Sequence, residues 1–486
     1  MANNTKDKGS IITTISLGEL LPKVIGKKAE MNRLAQICAV YLKDTDTYEL
    51  SYSFESLKYV FETYRLVIRS NTEVPSITPI YRCAFFYENE IAELFGVNIK
   101  RISEDYHDNF YRINEKTPFK SEEEIMGKLS VIPFGPQHPV LPEPIHLDLV
   151  LEDETVVKAI PSIGYIHRGL EKLVQKKNYK EYVYIAERIC GICSFGHGMG
   201  YCETIENIMD IEVPDRAKYL RTIWSELSRL HSHLLWLGLQ ADAFGFESLF
   251  MQAWRMREKI LDMFEKSTGG RIIFSVNTIG GVLKDMPGDM LSEFKDILSD
   301  MEAEIKKMTD TFLNDYSVNT RLRGVGVLKK LDAIKLGANG PMMRASGVKM
   351  DARKLGYEAY GNVDFDIIIS EECDSYARTE VRIKEIFQSI SIIKQLIDKI
   401  PEASGVLFNP PKGNPKGECF VRIEQPRGEA IYYTRANGTQ FLDRMRVRTP
   451  TFANLPALVE TLKGAQLADV PILVLTIDPC ISCTER

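Results

Sequence analysis

The sequence has no long hydrophobic run and no surplus of basic charge. Its 486 residues contain no stretch near the roughly 18 consecutive apolar residues that a membrane-spanning helix requires. The polar beginning, MANNTKDKGS, lacks the charged-then-apolar pattern of a secretion signal. Lys and Arg number 61 against 67 Asp and Glu and are scattered, which excludes a nucleic-acid-binding protein. The pattern therefore predicts a cytoplasmic chain without a membrane anchor of its own.

Cysteine is also scarce, because nine cysteines in so long a chain do not make a disulfide scaffold. Four of the nine form two Cys-x-x-Cys pairs, in the segments RICGICSFGH (188–197) and DPCISCTER (478–486). In a reducing compartment, such pairs indicate metal binding or redox chemistry. The other five cysteines have no paired spacing and are expected to be small buried apolar residues.

Hydrophobic periodicity predicts an α+β protein in three parts: a small N-terminal α/β domain (1–115), a charged, turn-rich linker (116–128) and a mainly α-helical domain (129–486). The last part is expected to be a bundle of long helices with small flanking sheets. Predicted helices are Ala29–Leu42, Ser53–Thr63, Asp215–Leu239, Leu249–Thr268, Asp289–Leu313, Ser375–Ile400 and Pro456–Gly464. Predicted strands are Arg65–Ile68, Ile80–Phe86, Leu129–Ile132, Ile145–Leu151 and a buried one at Val470–Thr476.

Two Cys-x-x-Cys turns can surround one ion with four thiolates, which suit zinc, iron–sulfur clusters, copper(I) or nickel. The spacing by itself favours a structural zinc site. Against zinc, the pairs lie far apart in the chain, one before the predicted bundle and one after it. Their polar neighbours Arg188, His197, Asp478 and Glu485 are groups that a closed zinc site does not need. The second pair also follows an apolar segment, so a buried redox cofactor becomes the better interpretation.

The residues around both pairs resemble a known family. The first segment resembles R-x-C-G-x-C-x-x-x-H, and the second D-P-C-x-x-C-x-x-[HR], the two motifs of nickel–iron hydrogenase large subunits. This likeness, to a fold shared with the 49-kilodalton subunit of respiratory complex I, covers roughly 129–486. The segment FYENEIAELFGV (86–97) resembles the 30-kilodalton subunit of complex I. Such a fusion is typical of membrane-bound, energy-converting hydrogenases, including the formate hydrogenlyase type.

Complex I remains the main alternative, because GPQHP (135–139) and HRGLEKL (167–173) resemble its 49-kilodalton subunit. That subunit has lost the four cysteines and binds quinone in the vacated space, whereas this chain keeps them. The resemblance therefore implies a hydrogenase, an enzyme that interconverts hydrogen with protons and low-potential electrons. A complex I-like quinone-reductase subunit without a metal and a structural zinc protein remain the alternatives.

The resemblance implies roles for individual residues. Cys190 and Cys480 would bind nickel terminally, and Cys193 and Cys483 would bridge nickel to an iron that carries carbon monoxide and two cyanides. Cys480 would accept a proton first and pass it to Glu143. The remaining expected neighbours are Arg427 over the cyanides, Asp478 as its partner, His197 on a bridging sulfur, and Arg188 close by.

An additional magnesium or iron ion is held in some members of the family by a glutamate that matches Glu171. Its partner there is a terminal histidine, whereas this chain has Arg486, which argues against that ion. Precursors in the family usually carry a C-terminal extension that is removed, so the sequence is expected to be either a mature form or a member made without one.

Because the sequence has no further cluster motif, electrons are expected to leave through a small subunit with a [4Fe-4S] iron–sulfur cluster. The resemblance adds a ferredoxin-like electron-transfer subunit and integral membrane subunits that pump ions. It places the chain at the cytoplasmic face of the cell membrane, bound through these partners.

Overall fold

The computed structural model describes residues 10–106, 110–111, 129–403 and 405–486. It confirms the expected α+β fold, in which a small N-terminal domain precedes long helices flanked by small sheets. The predicted linker 116–128 lies outside the described residues.

The N-terminal domain is built on a four-stranded sheet in the order β1-β4-β3-β2. Strand β1 pairs in parallel with β4, and the other neighbours are antiparallel. A two-stranded parallel pair, β5 and β6, flanks helix α2. The elements are β1 Ile11–Ile15, α1 Leu20–Ala29, β2 Arg33–Leu42, β3 Thr47–Glu55, β4 Phe61–Arg69, β5 Val74–Pro75, α2 Ala84–Phe95 and β6 Ile99–Lys100.

Three predictions in this domain were wrong. The predicted helix Ala29–Leu42 is largely strand β2, whose residues are buried on both faces. One face of β2 belongs to the core of the N-terminal domain, and the other packs through Ala35 and Val40 on the sheet near the C-terminal end of the chain. Because both faces are buried, the alternation of apolar and polar residues that marks a strand is missing. The predicted helix Ser53–Thr63 contains the end of β3, a turn and the start of β4. The predicted strand Ile80–Phe86 instead ends inside the first turn of α2. The first eight residues of α2 are all buried, so each is either apolar or has a hydrogen-bonding partner.

The second part begins with the antiparallel sheet β7-β8-β9, continues through the long helices and ends with the antiparallel sheet β12-β13-β14 and three helices. Its strands are β7 Ser130–Phe134, β8 His146–Glu152, β9 Thr155–Ser162, β10 Asn277–Thr278, β11 Gly281–Val282, β12 Lys416–Gln425, β13 Gly428–Asn437 and β14 Leu442–Arg448. Its helices are α3 Leu170–Leu173, α4 Tyr182–Glu187, α5 Ser194–Met209, α6 Asp215–Ala243, α7 Glu247–Thr268, α8 Gly288–Asn314, α9 Tyr316–Leu322, α10 Lys330–Lys335, α11 Gly340–Arg344, α12 Ser375–Lys399, α13 Pro450–Leu462, α14 Val470–Thr476 and α15 Ile481–Thr484.

Four long helices form the bundle, and all four were predicted from their periodicity. Helix α6 runs through its middle and is buried along nearly its whole length. Asp374 caps the N-terminus of helix α12: its carboxylate accepts a hydrogen bond from the backbone N–H of Ala377 at 2.8 Å. Within the described part of the chain, no helix is both long and apolar enough to cross a membrane.

The last expected strand, Val470–Thr476, is helix α14 instead. A short apolar run that is buried all round carries no periodicity, so strand and helix look alike in sequence. The proline in its first turn is the signal that favours the helix, because proline is tolerated there. The short helix expected at Pro456–Gly464 is the second half of α13, which contains Pro456 in its interior.

One hydrophobic core joins the N-terminal domain to the C-terminal helices. The rings of Phe86 and Tyr87 on α2 meet Phe452 on α13 edge-on, with centroids 5.9 and 5.2 Å apart. The two expected domains therefore share buried surface, and the N-terminal domain lies directly behind the segment that carries the second cysteine pair.

Candidate metal centre

The first cysteine pair lies in the turn between α4 and α5. Cys193 is the residue immediately before α5, and backbone N–H groups of Ile192 and Cys193 donate to the sulfur of Cys190 at 3.2 and 3.3 Å. Helix α5 lies close to β12 and β13 because it carries glycines: a Cβ at Gly200 would collide with the ring of Tyr432. The turn thus sits at the junction of the bundle and the C-terminal sheet.

The second pair follows α14. Asp478 adopts a left-handed backbone conformation (φ 55°), which aspartate tolerates better than most residues, and this bend places Cys480 immediately before α15. The N–H of Cys480 donates to the Thr451 hydroxyl at 3.1 Å. The prediction that this pair is buried is confirmed, since Cys480 and Cys483 are 2% and 1% exposed.

The two pairs meet, and we call Cys190, Cys193, Cys480 and Cys483 the thiol cluster. The sulfurs of Cys190 and Cys480 are 3.2 Å apart. Those of Cys190, Cys193 and Cys483 all lie within 4.8 Å of one another. Among the described residues, these three are the only group of His, Cys, Asp or Glu side chains close enough to share a metal ion.

The charge of the thiol cluster fits a bound metal. Hydrogen bonds from the neighbouring thiols hold the pKa of Cys190 well below its usual value. Hydrogen bonding to Cys190 raises the pKa of Cys193 and of Cys480, and burial raises that of Cys483. Cys190 is thus the thiol that loses its proton most readily, and a bound soft cation would favour the thiolate form of all four. The donor set suits nickel, iron or zinc.

His197 contacts the cluster from α5. Its Nε2 lies 3.3 Å from the sulfur of Cys483, and its Nδ1 lies 2.9 Å from the hydroxyl of Tyr432. Gln425 donates to that hydroxyl at 2.8 Å, which leaves the tyrosine proton available for Nδ1. Burial lowers the pKa of His197 to about 4, so the ring is neutral at pH 7. The neutral ring thus lies between the hydroxyl of Tyr432 and the sulfur of Cys483.

Arg427 covers another side of the cluster, at the turn between β12 and β13. Its Nη1 lies 3.5 Å from the sulfur of Cys193 and 3.1 Å from the hydroxyl of Ser232 on α6. Its Nη2 and Nε bind the carboxylate and the carbonyl of Asp478 at 2.8 and 2.9 Å. The guanidinium is therefore fixed by two elements, and the expected contact between Arg427 and Asp478 is present.

Glu143 is held by the segment that carries the second cysteine pair. Its carboxylate accepts hydrogen bonds from the backbone N–H groups of Ile481 and Ser482 and from the Ser482 hydroxyl. Burial raises the pKa of Glu143, and the nearby charge of Cys190 raises it further. The charge of Glu143 in turn adds to the raised pKa of Cys480. Glu143 is thus close enough to Cys480 to affect the protonation of that thiol.

Arg188 lies away from the sulfurs, whereas Glu171 lies beside Arg486 near the C-terminus, as the resemblance implied. Arg188 is exposed, and its guanidinium donates to the carbonyl of Tyr184 at 2.7 Å, so the structure does not bring it to the sulfurs. Glu171 lies among arginines, with Arg444 and Arg486 each within 2.9 Å of its oxygens.

Sequence reasoning missed Tyr432, Ser232 and Thr451, which position His197, Arg427 and Cys480. Ordinary polar residues on α6, β13 and α13 carry no motif, so no sequence signal was available for them. Gln425 lies two residues before Arg427 in the segment EQPRGE (424–429), and that proximity was its one available signal.

Known protein families match most of the chain. The 30 Kd subunit of respiratory-chain NADH dehydrogenase matches residues 16–113, nickel-dependent hydrogenase matches 168–241, and the 49 Kd subunit of the NADH dehydrogenase matches 243–413 and 406–486. Membrane-bound hydrogenase subunit alpha of Pyrococcus furiosus is 37% identical over 73% of this chain and 87% of its own length. Formate hydrogenlyase subunit 5 of Escherichia coli is 32% identical over 87% of this chain and 79% of its own.

A solved structure of an archaeal respiratory membrane complex, the membrane-bound sulfane sulfur reductase, includes a similar chain. It is 31% identical with a TM-score of 0.71, and the match covers 76% of this chain and all of that one. The fold and the two fused domains define the class of large subunits common to respiratory NADH dehydrogenase and membrane-bound hydrogenases. This chain belongs to that family, and its hydrogenase relatives are large subunits of membrane-bound hydrogenases.

Proposed function

We propose that this chain is the catalytic subunit of a nickel–iron hydrogenase that interconverts hydrogen with protons and electrons. The observation that carries the proposal is the convergence of four buried cysteines from two distant segments, with Arg427 and Glu143 beside them. Because the family also includes NADH–quinone oxidoreductase subunits, membership by itself does not decide between the two activities.

The thiol cluster would hold the nickel–iron group, which when bound would supply the binding and polarisation of hydrogen. The two cysteines expected to bridge the metals, Cys193 and Cys483, are those that Arg427 and His197 contact. Hydrogen-bond donors at a thiolate sulfur withdraw electron density and fix its orientation. Arg427 would also offer N–H groups to the cyanides on iron, because a guanidinium is a planar donor with several N–H groups.

Glu143 would carry protons between Cys480 and solvent. Burial raises the pKa of Glu143, so this carboxyl takes up a proton more readily than an exposed one, which suits a group that relays protons. Its hydrogen bonds to Ile481 and Ser482 keep it beside Cys480 whichever form it takes. The Ser482 hydroxyl, which can rotate, provides a donor and an acceptor at the same carboxyl.

The relatives support the physiological setting that we propose. Several belong to membrane-bound complexes, so this chain would associate peripherally with membrane subunits and evolve hydrogen from a low-potential electron donor. Electrons would pass to it through a small subunit with a [4Fe-4S] cluster and a ferredoxin-like subunit.

Metal analysis of the purified, matured complex tests the proposal. We expect nickel and iron in equal amounts, infrared bands from carbon monoxide and cyanide, and hydrogen turnover with an artificial electron carrier. Zinc as the sole metal would indicate a structural site instead. A complex that lacks metal at this site and reduces quinone would assign the chain to the NADH dehydrogenase type.

A further inference from the structure

Four buried charged side chains and the partly buried Glu171 form a second cluster beside the thiol cluster. We call Glu90, Glu171, Arg444, Arg446 and Arg486 the C-terminal clamp. Arg486 binds Glu90 and Glu171 through Nη2 and Nε, each at 2.9 Å. Arg446 binds the other oxygen of Glu90 at 2.6 Å, and Arg444 binds the other oxygen of Glu171 at 2.7 Å.

The clamp does not fit a divalent metal ion. Both oxygens of each carboxylate already have a cationic partner, and Glu171 also accepts from the N–H of Val447 at 2.9 Å. Three guanidiniums face two carboxylates, so an added cation would meet positive charge in a buried site. Arg486 therefore occupies the place between Glu90 and Glu171 that a cation would take.

Arg486 is connected to the second cysteine pair by a short, fixed segment. Its Nη1 donates to the carbonyl of Thr484 at 2.6 Å, and its guanidinium lies 4.8 Å from the ring of Phe452. The carboxylate of Glu485 accepts from the N–H of Ile166 at 2.6 Å. Cys483 lies only three residues before Arg486, so a shift of that arginine would be transmitted to α15 and its sulfur.

Glu90 comes from a different part of the chain than the rest of the metal centre. It lies on α2, in the N-terminal domain, and the hydroxyl of Tyr111 donates to it at 2.9 Å. Glu90 is buried together with Arg446 and Arg486. Its carboxylate is the negative charge that the N-terminal domain places against both guanidiniums.

We propose that Glu90 is a positioning residue for the metal centre: by binding Arg486, the N-terminal domain holds the segment of Cys480 and Cys483 against Cys190 and Cys193. The consequence for function rests on the proposed role of the thiol cluster, whereas the positioning itself does not. The N-terminal domain then helps to fix the conformation of the segment that carries the second cysteine pair, in addition to packing against it.

Hydrogen exchange of the full-length protein tests the proposal with Glu90→Gln, which keeps the size of the side chain and removes its charge. The glutamine amide has one acceptor oxygen in place of two and no charge, so it leaves Arg446 and Arg486 uncompensated, and opening of residues 478–486 should increase by about tenfold or more. The matched control is Glu55→Gln. Glu55 is also buried in the N-terminal domain and binds Arg33 and, across the domain interface, Arg422, but it does not contact the C-terminal segment.

Selective exchange at 478–486 in Glu90→Gln, absent in Glu55→Gln, would support the proposal. Equal profiles in the two variants would overturn it. Should Glu90→Gln not fold, Arg486→Gln serves as the second variant, because it removes the same pair from the other side. Unchanged exchange at 478–483 in Arg486→Gln would equally refute the clamp. These outcomes are read without hydrogen turnover, so they are independent of the nickel–iron assignment.

Discussion

The thiol cluster and the C-terminal clamp adjoin near the end of the chain, where Cys483 and Arg486 are three residues apart. The thiol cluster nevertheless favours a metal cation, whereas the clamp opposes one. In the thiol cluster, four potential anions face chiefly one guanidinium, that of Arg427. In the clamp, two carboxylates face three guanidiniums. A metal ion is favoured where anionic ligands outnumber the positively charged side chains around them. It is opposed where arginine side chains already balance the carboxylates. Each prediction below tests one side of that contrast.

The largest effect is expected from Cys480→Ser. A serine hydroxyl remains protonated near neutral pH and is a poor ligand for nickel, so the variant should lose hydrogen turnover and most of its nickel. Metal analysis and a hydrogen assay on the purified complex measure both. Cys202→Ser is the control, because Cys202 is equally buried on α5 but lies outside the thiol cluster. Full activity in Cys480→Ser would contradict the assignment of this ligand.

Glu143→Gln should lower hydrogen turnover by about a hundredfold or more, since general acid–base groups contribute that much. Glutamine preserves the size and can still accept from the N–H groups of Ile481 and Ser482, so metal content should stay unchanged. The test pairs a turnover assay with nickel analysis of the same sample. If turnover persists while metal is retained, protons leave the thiol cluster by another route.

The sequence predicted the thiol cluster better than its surroundings. Cysteine pairs have a fixed local spacing, so both segments stood out, and the long helices carried their own periodicity. Strand β2 and helix α14 were misassigned because each is buried on all sides, which removes the pattern that separates strand from helix. The resemblance pointed to Glu171 and Arg486, but the part that Glu90 plays in the clamp could not be predicted, because nothing local relates it to a residue near the other end of the chain.

Arg427→Lys should reduce turnover by about ten- to a hundredfold, the usual cost of losing a group that orients a metal ligand. Lysine keeps the positive charge but cannot bind Asp478 and reach Ser232 and Cys193 at the same time. The infrared bands of the cyanides report the change directly and should shift. A variant with unchanged bands and reduced turnover would show that the arginine acts away from the iron.

The smallest effect is expected at the clamp, where removing divalent ions should change nothing. Dialysis against a chelator should leave the melting temperature and the exchange of residues 478–486 unaltered, because Arg486 already neutralises Glu90 and Glu171. Glu171→Gln, by contrast, leaves Arg444 and Arg486 without that charge in a buried site and should lower the melting temperature. Magnesium that co-purifies stoichiometrically, with a melting temperature that falls on its removal, would show that an ion displaces an arginine at this position, and the contrast between the two clusters would fail.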